Sequence, residues 1–509
     1  MKFSRIIAVS LLCLALGAGT ASARGDTLTV AAPSDAKTLD PHGTPESGSH
    51  NVMKQIYESL VTYNDKQEIV PLLAEKWEVI EDNKAHKFYL KKGVKFHNGE
   101  ELKADDVLFT FQRATSPSGA AIHAFSNYID PKGLEVVDDH TIIVRTKQPM
   151  GSSFLASMNH PWSSILNRKA VEQFGKDYGM NPVGTGKFKF DSWSKGDRIT
   201  MTRFDGYHGE KAGITKLIIR TVIEAASRTI ELESGAVDLA IELPTVDVRR
   251  LQENKALNAV LQPGQMTFHL GMDMVNKKPY NDIRVRQAMN MAVNRAGIVK
   301  AVFKGYAEQA SGPISSAIKY NKVKATPVSK MDLEKAKQLL KEAGYPNGFK
   351  SEILTADRTD YINIATVLQE NFRRIGIDCE IKVFEWGTYI DAIKTPGHAP
   401  YVMPWWGGAP ALDPFFLYGP QFHSVSAGQT NRAFLKDPEI DALLDKGAEL
   451  NDGPEREAVY GKVWDRLNEL LPWVCIAYPN SIAAMDKTLK GVRLSPGLIS
   501  HYGNAYFEK

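Results

Sequence analysis

The hydrophobic and polar positions of this chain follow two different periods. From 377 to 383 apolar residues occupy every second position, which predicts a strand with one buried face. From 332 to 343 they follow the 3.6-residue period of a helix. Asp332 is a good capping residue for that helix, and Gly344 lies just past its end. Strand-like and helix-like segments of these two kinds succeed one another along the sequence.

Together the segments predict an α/β fold. Hairpin-like pairs of strands are mixed with strand–helix–strand alternation, which favours mixed sheets in at least two lobes. The length of 509 residues also favours more than one domain, because single cores rarely exceed about 300 residues. The predicted strands cover 27–32, 87–90, 94–96, 134–137, 141–146, 188–193, 198–203, 217–222, 237–240, 377–383 and 474–477. The predicted helices cover 51–60, 227–234, 281–295, 332–343, 361–374, 386–394, 438–446 and 456–471, and another begins at 105.

The first 23 residues have the pattern of a secretory signal peptide. Lys2 and Arg5 precede an apolar run over 6–16, and Ala21-Ser22-Ala23 has the small residues of a cleavage site. No later apolar run approaches the length that a membrane-spanning helix needs. The sequence therefore predicts residues 1–23 as a signal peptide and the remainder as an exported, soluble protein.

Charge and cysteine content reduce the number of functions that the protein could have. Without Lys2 and Arg5, 60 of the 62 basic residues remain against 59 acidic ones. This balance gives no electrostatic reason to expect nucleic acid or an anionic membrane as a partner. Cys379 and Cys475 both lie in apolar, strand-like runs, and we predict two buried free thiols rather than a disulfide.

The common catalytic and metal-binding motifs are absent from the sequence. It contains no H-x-x-x-H pair, no C-x-x-C and no G-x-S-x-G. The run 184–187, Gly-Thr-Gly-Lys, is similar to a phosphate loop, but Phe188 replaces the hydroxyl residue that would hold a magnesium ion. A backbone turn between strands is the better interpretation of that run. We therefore predict no cofactor, no metal and no catalytic residues.

An aromatic stretch over 403–416 is the strongest candidate for a ligand site. On a strand, Trp405 and Trp406 would point to opposite faces, and Gly407 begins a Gly/Pro run that ends any regular element. Flat side chains beside a loop suit the apolar wall of a ligand pocket. A buried strand that ends in a turn, with both Trp residues in the core, is an equally good interpretation.

Three further residues occupy positions where a ligand would bind. Arg358 and Tyr361 follow an apolar run at what we interpret as the end of a strand and the start of a helix. In open α/β sheets this position faces the ligand, and Arg358 could bind a carboxylate through two hydrogen bonds. The alternative is an exposed arginine beside Asp360. Trp386 is either a core aromatic or a lid over a pocket.

Seven short segments, taken together and in order, resemble the extracytoplasmic solute-binding proteins of ABC importers of the dipeptide, oligopeptide and nickel type. The ordered set is specific, and the resemblance extends from about residue 27 to the C-terminus. The segments are 39–42 (LDPH), 57–60 (YESL), 71–77 (PLLAEKW), 94–99 (VKFHNG), 181–186 (NPVGTG), 285–288 (VRQA) and 335–346 (KAKQLLKEAGYP).

The resemblance implies the two-lobed, hinged fold of periplasmic binding proteins of type II. Lobe I would comprise 24–62, 190–275 and 485–509, with an extra subdomain over 63–189, and lobe II would comprise 276–484. The chain would pass between the lobes near 276 and again near 484. The implied function is capture rather than catalysis: a monomeric periplasmic protein closes on a small solute and delivers it to the permease subunits of an ABC importer.

The resemblance also implies where the ligand contacts lie. Trp406 and Trp386 match cleft tryptophans of peptide-binding members, and Arg358 matches an arginine near the ligand of the dipeptide type. The loop from His42 to Ser47 would close the opposite side. The complete set of implied contacts is Trp405, Trp406, Gly407, Trp386, Arg358, Tyr361, His42, Thr44, Glu46 and Asp413.

One departure from the family pattern concerns the solute. Peptide-binding members keep an Asp four residues before a Pro, where it pairs with the peptide's α-ammonium, but that position here is Pro410. Because an unpaired ammonium in a closed cleft costs several kcal/mol, a peptide ligand needs Asp413, Glu46 or another carboxylate.

The sequence leaves several solutes open. The segments 158–161 and 174–186 are similar to the glutathione-binding type, which departs from the Asp pattern too. An opine, a sugar or a nickel complex, with His42 and His423 as possible ligands, stays an alternative solute. An exported hydrolase stays an alternative function.

Overall fold

The computed structural model describes residues 26–116, 127–405, 412–495 and 499–508. The predicted signal peptide and the positions of Trp406, Gly407 and Pro410 lie outside these ranges. Among the described residues, no helix has the length and apolar character to cross a membrane.

The strands, numbered in chain order, alternate with helices along most of the chain. They are β1 (Thr27–Ala32), β2 (Val61–Tyr63), β3 (Ile69–Pro71), β4 (Ala74–Ile80), β5 (Ala85–Leu90), β6 (Ile129–Asp138), β7 (Thr141–Thr146), β8 (Phe188–Ser194), β9 (Arg198–Arg203), β10 (Lys216–Thr221), β11 (Leu239–Ile241), β12 (Leu257–Pro263), β13 (Thr267–Gly271), β14 (Ala307–Gln309), β15 (Phe349–Ala356), β16 (Ile377–Phe384), β17 (Tyr401–Trp405), β18 (Trp473–Asp486), β19 (Leu489–Lys490) and β20 (Tyr506–Phe507).

The α-helices are numbered in the same way, and short 3₁₀ turns occur at 161–163, 175–180, 245–247 and 424–426. The α-helices are α1 (Ser47–Ile56), α2 (Ala104–Thr115), α3 (Ser152–Ser157), α4 (Arg168–Phe174), α5 (Ala225–Glu233), α6 (Val248–Glu253), α7 (Ile283–Ala292), α8 (Arg295–Ala301), α9 (Leu333–Glu342), α10 (Thr359–Arg373), α11 (Trp386–Ala392), α12 (Pro414–Phe422), α13 (Pro438–Glu449) and α14 (Pro454–Leu470).

A twelve-stranded sheet runs through the molecule in the order β16-β15-β17-β13-β18-β11-β1-β10-β9-β8, and β12 and β14 also pair with β18. The mixed α/β fold of the sequence prediction is thus confirmed. Strand β18 belongs to both halves of this sheet. Its first residues pair with β13 and β14, and its last residues pair with β11 and β12. One continuous strand therefore joins the two halves.

The chain passes between the halves at two neighbouring points. It leaves the first half between the end of β12 and the start of β13, and it returns inside β18. The two passages touch where the amide of Gly264 donates to the carbonyl oxygen of Pro479 over 3.2 Å. A side chain at Gly264 would place its Cβ 2.4 Å from that oxygen, so this close approach requires glycine. The pairing favours a first passage at 264–266, earlier than the predicted passage near 276.

Separate hydrophobic clusters stabilise the two halves. Helices α7, α9 and α10 cover β13 and β15–β17 in the second half, where Leu270, Ile353 and Leu368 are fully buried. In the first half, α1 packs on β1, β10 and their neighbours through residues such as Met53 and Val30. Each half therefore buries apolar area of its own, as the prediction of two lobes requires.

Several local predictions are corrected and others confirmed. The predicted strand over 94–96 is a loop with one isolated bridge, Lys95 to Glu101. The helix predicted over 51–60 spans Ser47–Ile56, because the backbone is extended from Tyr57 onward and leads into β2. The thiols of Cys379 and Cys475 are free and buried, as predicted. The run 184–187 is a backbone loop in which the Gly186 amide donates to the carbonyl of Ile56 over 2.9 Å.

A four-stranded sheet, β4-β5-β7-β6, lies within the predicted extra subdomain. Its core is continuous with helices α12–α14 of the second half, since Phe88 and Phe111 belong to the same cluster as Phe416 and Trp464. The contact between the two is therefore a true core rather than a loose surface contact.

A buried ion pair lies in this contact. Arg456 is fully buried, and its two terminal nitrogens donate to the carboxylate oxygens of Asp413 over 2.8 and 2.9 Å. Arg456 also donates to the hydroxyl of Ser153 in the neighbouring subdomain. Backbone bonds from Gly151 to Ala448 and from Ser152 to Leu450 accompany this network.

We expect Arg456→Met to lower the free energy of unfolding by about 3–5 kcal/mol, because it leaves the Asp413 carboxylate buried and uncompensated. Urea unfolding followed by circular dichroism measures the change. The matched control is Arg249→Met, since Arg249 is 86% exposed and pairs with Glu253 one helical turn away. That variant should change stability by less than about 0.5 kcal/mol. Equal losses in the two variants would contradict the role given to the buried pair.

Candidate ligand-binding cleft

A cavity of about 1040 Å³ lies between the two halves of the molecule. Both halves contribute to its walls, and the passages near Pro479 and Asn480 form its floor. This volume is at the upper end of what small-molecule sites have. The residues that line the cavity include Glu46, His50, His160 and Trp162 from the first half. From the second half they include Phe268, Arg358, Asp360, Tyr361, Trp386, Met403, Trp405 and Arg432.

The second-half wall forms where three parallel strands end. Strands β15, β16 and β17 run in the same direction, with β15 in the middle. Arg358 follows the end of β15 and occupies the position just before helix α10, Trp386 follows β16 and begins α11, and Trp405 is the last residue of β17. Ligands of open α/β sheets bind at the carboxyl ends of such strands. The predicted position of Arg358 and Tyr361, between a strand and a helix, is therefore confirmed.

Stacked rings hold Arg358 in place. Its guanidinium carbon lies 4.6 Å from the ring centre of Trp386 and 5.7 Å from that of Tyr361. Stacking of this kind uses the face of the guanidinium and leaves its in-plane N–H groups available for a ligand. Arg358 is exposed and forms no ion pair with a described residue.

The first-half wall is a cluster of aromatic rings at the start of α1 and in the turn at 160–163. The His160 and Trp162 rings lie 3.7 Å apart between centres, and the His50 ring meets His160 edge-on at 4.8 Å. Glu46 lies at the entrance and forms an ion pair with Lys37 over 2.8 Å. Apolar faces and one carboxylate are thus presented to the solute.

His42 and Thr44 lie behind this wall and do not line the cavity. The Nε2–H of His42 donates to the carbonyl of Trp162 over 3.0 Å, and its Nδ1 accepts from Arg113 over 3.0 Å. The Thr44 carbonyl accepts from His50 Nε2 over 3.1 Å and from the Trp162 indole N–H over 3.2 Å. The predicted loop therefore reaches the cavity through Glu46, whereas His42 and Thr44 hold the aromatic wall in position.

Asp413 also lies away from the cavity, contrary to the expectation that it contacts the solute. It is 3% exposed, its carboxylate binds Arg456, and it caps α12 by accepting from the Phe415 amide over 3.0 Å. The Asp-Pro pair is the start of a helix, where Asp is favoured as the cap and Pro as the first helical residue. The Asp413 carboxylate is thus fully used inside the protein.

The carboxylates that line the cavity are Glu46 and Asp360. The residues outside the described ranges include no Asp and no Glu, so no undescribed side chain adds another. Burial raises the pKa of Asp360 above its ordinary value. Over the described residues, no three or more His, Cys, Asp or Glu side chains are grouped as a metal site would require.

Several wall residues could not be predicted from the sequence. Trp162 and Arg432 lie in irregular segments, where no periodicity indicates which way a side chain points. Phe268 lies on β13. The alternation of apolar and polar residues along this strand does not indicate which face of the sheet is directed toward the cavity. The segment 158–161, noted for its similarity to the glutathione-binding type, does bring His160 to the cavity.

The sequence and the fold both define a known class of protein. The family described as bacterial extracellular solute-binding proteins, family 5, matches residues 68–428. The glutathione-binding protein GsiB of Pectobacterium atrosepticum is 28% identical over 487 residues, which cover 94% of this chain and 93% of the relative. The chain belongs to family 5 of the bacterial extracellular solute-binding proteins.

Two solved structures show the same architecture. The periplasmic binding protein DppA of Helicobacter pylori, in complex with the peptide STSA, is 29% identical with a TM-score of 0.79, over 95% of this chain and 98% of that one. HbpA2 of Haemophilus parasuis is 25% identical with a TM-score of 0.86, over 95% of this chain and all of that one. The two-lobed fold implied by the resemblance is therefore confirmed.

We expect stability to fall as the pH is lowered from 7 to 5. Burial lowers the pKa of His50 to about 4, so this side chain stays neutral in the folded protein at pH 5. In the unfolded chain it is protonated below about pH 6.5, and the unfolded state then binds more protons. For His50, the free energy of unfolding should be about 2 kcal/mol lower at pH 5 than at pH 7.

The variant His50→Gln tests this expectation, because glutamine keeps an N–H donor for the Thr44 carbonyl but does not titrate. Urea unfolding at pH 7 and pH 5 should show a smaller loss in the variant than in the wild type, by about 2 kcal/mol. An identical loss in the two proteins would show that His50 is not the source.

Proposed function

We propose that the protein captures a peptide or peptide-like solute in the cleft and delivers it to the permease subunits of an ABC importer. The observation that carries this proposal is the cavity of about 1040 Å³ between two halves that share strand β18, with aromatic walls and a stacked arginine at the ends of three parallel strands. Membership of family 5 supports an exported binding protein. We further propose that it is a periplasmic monomer, released by cleavage after Ala23, and that it performs no chemistry on its solute.

The chemistry of the cavity suits a peptide-like molecule. Trp386, Trp405 and Trp162 provide flat apolar surface for side chains, and Arg358 provides a fork that matches a carboxylate. An α-ammonium would need Glu46 or Asp360, because Asp413 is bound to Arg456. The ligands named for relatives, glutathione and STSA, are both peptides.

We expect a saturable change in tryptophan fluorescence when a solute binds, and we expect Trp386→Ala to weaken binding about tenfold. The substitution removes the ring on which Arg358 stacks, and such contacts contribute about 1 kcal/mol or more. Calorimetric titration with glutathione and STSA measures the affinity. The matched control is Trp193→Phe, since Trp193 contacts Asp35 and does not line the cavity.

Native mass spectrometry of the purified protein, followed by incubation with peptides, tests the function as a whole. The expected result is a protein that binds a solute and releases it with unchanged mass. Cleaved peptide in the incubation would instead support the alternative of an exported hydrolase. Loss of binding in the Trp193 variant as well as in the Trp386 variant would contradict the location of the site.

A further inference from the structure

One buried arginine in the cleft lacks the partners that the other buried arginines have. The buried arginines among the described residues are Arg228, Arg286, Arg295, Arg432 and Arg456. Four of these donate to oxygen atoms, either backbone carbonyls or, for Arg456, carboxylates. Arg432 differs, because its Nη1 donates to the sulfur of Met403 over 3.3 Å, the hydroxyl of Tyr401 lies beside it, and its Nε has no hydrogen-bond partner among the described residues. A thioether sulfur is only a weak acceptor for a charged donor.

The missing partner of Arg432 is not an acidic side chain of this chain. Arg432 forms no ion pair with a described residue, and the undescribed residues contain no Asp or Glu. A buried guanidinium is normally paired or fully hydrogen-bonded, because burial removes its hydration. Because Arg432 also lines the cavity, its guanidinium is open to an acceptor from the contents of the cavity.

The surrounding backbone holds Arg432 in place. The neighbouring side chain of Asn431 donates to the Leu435 carbonyl over 2.8 Å, and the Arg432 carbonyl accepts from His398 Nε2 over 2.8 Å. The side chain lines the cavity together with Met403 and is 6% exposed. Because the position is fixed before any solute arrives, the guanidinium is a preorganised donor.

Arg358 is a second such donor in the same cavity. Its guanidinium stacks on Trp386 and forms no ion pair with a described residue. The opposing carboxylates are Asp360 and Glu46, and Glu46 already pairs with Lys37. Two guanidinium groups without ion-pair partners thus face a space that offers at most two carboxylates.

We propose that Arg358 and Arg432 each bind one carboxylate of the solute, and that the cleft selects peptide-like solutes with two carboxylate groups. This proposal rests on the proposed function and assigns Arg432 as its specificity-determining residue. Planar carboxylates match the guanidinium fork through two parallel hydrogen bonds, which neutral amides cannot reproduce. The single α-ammonium of such a solute has Asp360 or Glu46 within the same walls.

Calorimetric titration with matched ligands tests the proposal. The probes are glutathione, the dipeptides γ-Glu-Gly and Ala-Glu, and derivatives of each in which one carboxylate or the other is converted to an amide. For the dicarboxylate that binds most tightly, we expect each amide to bind the wild type about 100-fold more weakly. Arg432→Gln should abolish the preference for one of the two carboxylates, and Arg358→Gln the preference for the other.

The amide ligands and two further variants serve as controls. Arg432→Gln should bind the corresponding amide as well as the wild type does, which shows that the variant is folded. Arg432→Lys keeps the charge but loses the fork, and should retain part of the preference. Arg249→Gln, far out on the surface and paired with Glu253, should leave every affinity unchanged.

Other outcomes overturn the proposal. Equal binding of acids and amides by the wild type, unchanged preferences in Arg432→Gln, or failure of every dicarboxylate to bind would each exclude it. The proposed function would survive these results if STSA or another peptide binds the cleft and Trp386→Ala weakens that binding. If native mass spectrometry finds no solute and no peptide binds, the proposed function fails as well.

Discussion

The continuous hydrogen bonding of β18 is the constraint on which the architecture depends. A strand that pairs with β13 at one end and with β11 and β12 at the other belongs to two cores at once. Backbone groups of a buried strand must be paired, so each half fixes the register of the same strand. The close approach of Gly264 to Pro479 keeps the second passage beside it. The two halves are consequently joined along this band of the sheet, and the cleft opens next to it.

The position of the cleft follows from the direction of the strands. Strands β15, β16 and β17 all point their carboxyl ends toward the band between the halves. The residues that follow those ends, Arg358, Trp386 and the terminal Trp405, therefore converge without any special arrangement of loops. The first half contributes a wall that is held from behind, because His42 and Thr44 fix the rings that face the solute. Contacts within the protein thus position both walls, and such preorganisation reduces the entropy cost of binding.

Residue positions could be predicted from the sequence where a local pattern determines a position in the fold. The change from strand to helix at Arg358 predicted its place in the cleft. In a parallel sheet, a residue between a strand and the following helix lies at the carboxyl end of the strand, where ligands bind. Asp413 was wrongly expected at the ligand, since an Asp before a Pro is equally a helix start, and only the fold reveals its partner Arg456. Arg432 could not be found, because its surroundings are formed by residues of distant segments such as Met403 and Tyr401. The family resemblance supplied the function class, which no single residue pattern carried.

The core shared by the four-stranded sheet and helices α12–α14 has a consequence for the rate at which the solute leaves. Residues 149–153 and 448–456 are joined by backbone bonds and by Ser153 with Arg456, so the halves are connected at a second place besides β18. Any opening that separates these segments must break bonds whose groups are buried, and it exposes apolar surface to water. The barrier to opening therefore includes these contacts within the protein as well as the contacts with the solute. A bound solute is then retained in part by bonds that it does not itself form.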